Sequence, residues 1–148
     1  MNEMPNARSF AGAQLCVEAD EAETNESELK ILKLTLEINA SQEATVVYCR
    51  GRIVFREEGT ALTDAVLKVM PIARQLVLEL SGVEMIDNFG LGELLLLLRS
   101  ARSRNCLLSL AAPSAQVQEM LHLTRLDTVF DIFSSVEEAL SSGREAIA

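Results

Sequence analysis

Residues 87–92 read Asp-Asn-Phe-Gly-Leu-Gly, an acid and an amide followed by two glycines one residue apart. The run offers two kinds of chemistry. Asp87 and Asn88 carry side-chain oxygens of the sort that accept from the N–H groups of a first helical turn, and an acid is also favoured at the positive end of a helix. Asp87 is thus open between a local structural role and contact with a partner, and Asn88 has the same capping ability. Gly90 and Gly92 could form a phosphate cradle, because N–H groups at a helix start attract anions. No Lys-Ser/Thr pair follows them, which favours close packing of the turn over a nucleotide site.

Catalysis has little else to draw on, and the chain is expected not to be an enzyme. His122, the single histidine, lies off the apolar stripe of its segment and should be solvated. No serine or cysteine is paired with a base by motif, and no acidic pair is recognisable by its spacing. Cys16, Cys49 and Cys106 are odd in number and widely spaced, so reduced thiols are expected and neither a metal site nor a cofactor is implied. Cys49 and Cys106 fall in strand-like runs and read as small core hydrophobes.

The residues 87–92 sit inside the segment 76–98, LVLELSGVEMIDNFGLGELLLLL, in which an apolar strand ends at an acid and a glycine-containing turn opens a helix. In open α/β sheets such strand ends are where sites gather. The helix is expected from Leu91 to about Arg104, with Leu91, Leu94, Leu95, Leu98 and Ala101 on one stripe. Its leucines exceed what one buried face requires, so Leu96 or Leu97 is either an exposed interface residue or core beneath a flanking element.

Upstream, Leu32 to Ile38 alternates apolar and polar residues, and Ala44 to Val54 is β-type in composition with Gly51 marking a bulge or close approach, which together predict a hairpin. Leu62, Ala65, Val66 and Val69 predict a helix ended by Pro71. Downstream come a strand at 107–110, a helix capped by Ser114, a short strand at 130–133, and a helix from Val136 ended by Gly143. The order β-β-α-β-α-β-α-β-α predicts an α/β fold: a four- to five-stranded mixed sheet, its helix-separated strands parallel, with helices mainly on one face.

With 148 residues, 49% hydrophobic, the chain suits one globular domain. Residues 1–28 carry seven acids against Arg8, a net of -6 out of -9, with little apolar periodicity. They are expected to form a disordered acidic tail ahead of a domain over 29–148. The negative balance argues against nucleic acid or an anionic membrane as main partner. Neither a membrane-length apolar run nor a signal-type N-terminus is present, so a cytoplasmic protein without direct membrane insertion is expected.

An apolar strand, then Asp87, Gly90, Leu91 and Gly92 ahead of an apolar helix, resembles the STAS family of sulfate transporters and anti-sigma factor antagonists, whose pattern is Asp-Ser-x-Gly-Leu-Gly. Supporting blocks are Gly51-Arg52-Ile53, the run 120–126 with Val129-Phe130, and Val136-Glu137-Glu138-Ala139-Leu140, so the resemblance covers roughly residues 30–142. It implies a regulatory domain that binds a protein partner, an anti-sigma factor with serine kinase activity, through Asp87, Asn88, Phe89, Gly90, Leu91 and Gly92. It leaves room for a homodimer. A soluble subunit of a bacterial lipid-transport complex is the alternative within the family, and a small nucleotide-binding protein the alternative outside it.

Three departures bear on that implication. Asn88 stands where antagonists of the family carry the phosphorylated serine, and an amide does not take phosphate as a hydroxyl does. Val54 replaces an acid common after the second strand. Arg125 replaces a glycine, from which a helix ending other than by a left-handed residue is expected.

Overall fold

The computed structural model describes residues 14–18, 34–41 and 43–147. The described elements follow as β1 (Gln14–Glu18), β2 (Leu34–Ala40), β3 (Ala44–Ile53), α1 (Phe55–Val69), β4 (Gln75–Ile86), α2 (Asn88–Ser103), β5 (Leu107–Ala111), α3 (Ala115–Leu123), β6 (Ile132–Phe133) and α4 (Val136–Ile147). The strands lie in chain order across one sheet. β1–β2 and β2–β3 are antiparallel, and β3, β4, β5 and β6 run parallel with a helix at each crossover.

The mixed sheet and its helices agree with the sequence expectation, with one strand more. β1 pairs with β2 from Gln14↔Asn39 to Glu18↔Thr35, within the stretch expected to be a disordered tail. Its Leu15-Cys16-Val17 core has β-type composition, and the outer edge of β2 offers unpaired backbone groups for it to satisfy. The other residues of that expected tail, 1–13 and 19–28, lie outside the described residues.

β4 is the centre of the molecule: Leu76, Val77, Leu78 and Leu80 are all fully buried, as a strand covered on both faces must be. On one face Leu76, Leu78 and Leu80 join Leu34, Leu36 and Ile38 of β2, Leu62 and Val66 of α1, Leu94 and Leu97 of α2, and Val117 and Leu121 of α3. On the other, Val46, Val77, Ala111 and Ala139 form a smaller cluster with Tyr48 and Leu140, closed by α4. At about 1.5–3 kcal/mol for each large side chain removed from water, the first cluster is the main source of stability.

Two irregularities in β4 direct its end. Between the pairs Tyr48↔Glu79 and Arg50↔Gly82, and again between Gly51↔Val83 and Arg52↔Met85, β4 holds one residue more than β3. Each bulge shifts the alternation by one, so the inward positions after Leu80 become Val83 and Ile86, both buried. Gly51, at the bulge expected from its sequence, has φ 112.

Four local expectations are corrected. α2 begins at Asn88 rather than Leu91, because Asp87 caps it. Leu95 is exposed and Leu97 buried, so the buried stripe is Leu91, Leu94, Leu97, Leu98 and Ala101. α4 continues through Gly143 to Ile147; a Cβ at Gly143 would lie 1.8 Å from the side chain of Gln75, so the glycine serves helix–sheet approach and does not end the helix. Arg125 does close its turn left-handed, at φ 64 and ψ 17, because its N–H bonds the His122 carbonyl and its carbonyl accepts from Thr128.

Candidate functional site

Parallel neighbours end side by side, so the ends of β3 and β4 place the starts of α1 and α2 next to each other. Asp87 joins them. Its N–H donates to the Ile53 carbonyl (3.4 Å), its Oδ1 accepts from the Gly90 N–H (3.0 Å), and its Oδ2 accepts from the Phe55 N–H (2.9 Å). One carboxylate therefore caps α2 and ties the first residue of α1, near the positive ends of both helices.

The tie has a conformational reason. Phe55 has φ 71, a region that costs a residue with a Cβ roughly 1–2 kcal/mol, and a charged hydrogen bond of about 1.5–3 kcal/mol is enough to hold it. Val54, the N-cap of α1, has no side-chain oxygen to offer. The acid missing from that position is supplied from elsewhere, by Asp87 and by the buried Glu58, whose Oε1 accepts from the Val54 N–H at 3.0 Å.

The two glycines separate. A Cβ at Gly90 would stand 2.4 Å from the Ile53 carbonyl oxygen and 2.7 Å from Ile86, so this position packs tightly as expected. Nothing lies within 4 Å of a Cβ at Gly92, and close packing does not account for it. The phosphate-cradle alternative meets a specific obstacle, since the Asp87 carboxylate already occupies the Gly90 N–H.

Around this frame apolar and cationic side chains face outward, together with the Asn88 amide and the acids Glu57 and Glu84. Asn88 is exposed, Phe89 is 54% exposed, Met85 46% and Phe55 43%. The Arg56 guanidinium lies 5.7 Å from the Phe89 ring centre and that of Arg52 5.7 Å from the Phe55 ring centre, cation–π spacings worth about 0.5–1 kcal/mol at exposed sites. Of the six expected site residues, Asn88 and Phe89 face outward, Asp87 and Gly92 are half-buried, and Gly90 and Leu91 are buried. Met85, Arg52, Phe55 and Arg56 were not anticipated. The signal for the last three was the parallel pairing itself, which brings Phe55-Arg56 beside residues 87–92.

Groups with catalytic potential lie elsewhere. Burial pushes the Cys49 thiol up to about 12 and raises that of Cys106, so neither is a ready thiolate. His122 is exposed, as expected, with Nδ1 3.1 Å from Asp127 Oδ2. Among the described residues no His, Cys, Asp or Glu cluster could hold a metal, and no helix is long and apolar enough to cross a membrane.

The STAS domain family profile matches residues 21–139. A protein of Thermotoga maritima assigned by name to the anti-sigma factor antagonists is 36% identical over 70 residues, 47% of this chain and 62% of its own length. The chain thus spans somewhat under two thirds of that relative. A crystal structure from Thermotoga maritima of a protein similarly assigned superposes with a TM-score of 0.66 at 24% identity, covering 74% of this chain and 94% of the other. The anti-sigma factor antagonist SpoIIAA in its unphosphorylated form superposes with a TM-score of 0.65 at 15% identity, covering 74% and 96%. At these identities the two structures establish a shared fold.

Proposed function

Because the chain belongs to the STAS domain family, we propose that it acts as a non-enzymatic anti-sigma factor antagonist, binding an anti-sigma factor with serine kinase activity through the surface at residues 87–92. One observation carries this reading. Asn88 and Phe89 project into solvent from the first turn of α2 while Asp87 and Gly90 hold that turn rigidly against β3. A fixed turn presenting an exposed aromatic beside the Arg56 guanidinium has the composition of an interface centre, where aromatic residues and Arg are enriched.

In this reading the partner reaches Phe89, Phe55 and Arg56 across the two helix starts, and Asn88 sits at the centre of the contact. A serine there would be switched by phosphorylation, which adds about -1.5 to -2 charge units and three acceptor oxygens. The Asn88 amide is uncharged and takes no phosphate, so the protein stays in the binding form.

The experiment is titration calorimetry against the cognate anti-sigma factor, with a parallel incubation with that partner and ATP followed by mass spectrometry. Phe89→Ala should weaken binding at least tenfold, about 1.4 kcal/mol, with unchanged melting. Asn88→Glu should fold, its charge tolerated at the helix start, and bind more weakly because that charge must be desolvated. Asn88→Ser should gain one phosphate while the wild type gains none. Unchanged affinity in both charge and truncation variants would sink the surface assignment, and phosphate on the wild type, for instance at Thr60, Thr63 or Ser81, would sink the missing switch.

A further inference from the structure

The exposed side of α2 changes character along its length. Asn88, Gly92, Leu95, Arg99 and Arg102 follow one another at helical spacing, so Leu95 and the two arginines continue the outward stripe that Asn88 begins. At about 1.5 Å per residue, Arg99 lies some 16 Å along the axis from Asn88, beyond the turn assigned to the protein partner. Here a groove of about 330 Å³ opens, lined by Leu95, Leu96, Leu98, Arg99, Arg102 and Val129. Leu95, Leu96 and Val129 are 38%, 47% and 39% exposed, an unusual grouping for branched aliphatic side chains.

The charge of this groove opposes that of the molecule. The chain carries -9, yet between Glu93 and Glu119 the sequence holds Arg99, Arg102 and Arg104 and no acid. Neither Arg99 nor Arg102 meets a carboxylate within 4 Å among the described residues. Two unpaired guanidinium groups three residues apart at the border of an apolar trough suit a ligand with one anionic end and one hydrocarbon end. Guanidinium binds carboxylate in a fork that a neutral head group cannot match.

Size and lining point to a small ligand. The volume falls near the lower end of the roughly 300–1,000 Å³ of small-molecule sites, and the apolar lining bordered by two cations matches one chain with one anionic end. We propose that this groove binds a single-chain long-chain carboxylate, its hydrocarbon along Leu95, Leu96, Leu98 and Val129 and its head group at Arg99 and Arg102. The site is independent of the partner surface and stands or falls without it.

The test uses dodecanoate below its micellar concentration with the full chain, followed by amide chemical shifts and size-exclusion chromatography. Dodecanoate should perturb the amides of residues 95–102 and Val129, binding should tighten from octanoate through decanoate to dodecanoate, and dodecanol should bind at least about tenfold more weakly because it lacks the charge. Arg99→Gln with Arg102→Gln should reduce dodecanoate affinity to that of dodecanol, and Leu96→Asp, at an exposed position, should abolish binding with unchanged melting. Equal affinity for the alcohol and the carboxylate would overturn the proposal, as would shifts that map elsewhere. So would a dimer of the free protein that Leu96→Asp dissociates, which would show a second copy in the groove, or sedimentation with anionic phospholipid vesicles without any response to dodecanoate.

Discussion

Asp87 supports two helix starts with two oxygens, and its substitutions should separate the two contributions. Asp87→Ala loses both acceptors and should cost about 2–3 kcal/mol, seen as a lower urea midpoint at constant slope. Asp87→Asn keeps one acceptor oxygen and should fall between; wild-type stability in that variant would show that the link to Phe55 carries no weight. The capping ability of Asp87 was legible in its residue type. Its reach across 32 positions to Phe55 was not, because that contact depends on which strands are neighbours. Arg125 was legible as a departure, while its left-handed backbone was hidden in hydrogen bonds to His122 and Thr128. Arg125→Gly should relieve the strain and raise stability by roughly 0.5 kcal/mol, the gain being reduced by the greater chain entropy of glycine when unfolded. Cys49, with its thiol at about 12, should resist alkylation at neutral pH until the protein unfolds.

Among the elements, α4 shows how a start can be sharper than an end. Ser135 accepts from the Glu138 N–H at 3.1 Å, while Glu138 Oε1 accepts from both the N–H and the hydroxyl of Ser134, at 2.9 and 2.8 Å. Ser135 and Glu138 stand at capping-box spacing, which the sequence expectation did not include, and the glutamate reaches one residue further back to Ser134. The Ser134 hydroxyl and N–H hold the Glu138 carboxyl below its ordinary 4.5, so its contribution is present above that value and lost as pH falls through the lowered one. Thermal melts of Glu138→Gln should therefore lie below wild type at pH 7 and converge with it once the solution is acidified below the lowered value. Equal melts at pH 7 would remove the cap from the account. At the other end, Gly143 looked like a stop because glycine commonly follows a helix, but the close approach of Gln75 is a tertiary fact. Gly143→Ala should destabilise by about 1–3 kcal/mol by overpacking, against the helix preference of alanine. The β4 bulges were hidden for a similar reason: Val83 and Ile86 are visibly apolar, but only the β3 register shows how both face inward.

For the whole molecule, alternating strands and helices sufficed to specify a mixed sheet with parallel crossovers, since each helix must return the chain to the same end of the sheet. Edge strands are less visible, since they pair on one side only, and β1, which pairs with β2 alone, is the instance here. The buried apolar residues described all lie at or beyond Leu34. A chain of residues 29–148 should accordingly still melt cooperatively, at a lower temperature than full length, and should self-associate through the bared edge of β2. Calorimetry and size-exclusion chromatography would check both; loss of a cooperative transition would show that the preceding residues are needed for folding.

Tyr48, packed against the small cluster of Val46, Val77, Ala111 and Ala139 that α4 closes, has an optical consequence. The chain contains one tyrosine and no tryptophan, so its near-ultraviolet absorption and emission come almost wholly from this ring. Burial, with Glu79, Glu137 and Glu37 nearby, raises its phenol above the ordinary 10.0, so phenolate absorbance at 295 nm should develop only in more alkaline solution than for free tyrosine. Intrinsic emission therefore views the α4 side of the sheet and is distant from the groove on α2, giving an unlabelled sample a built-in reporter of whether its last helix is seated.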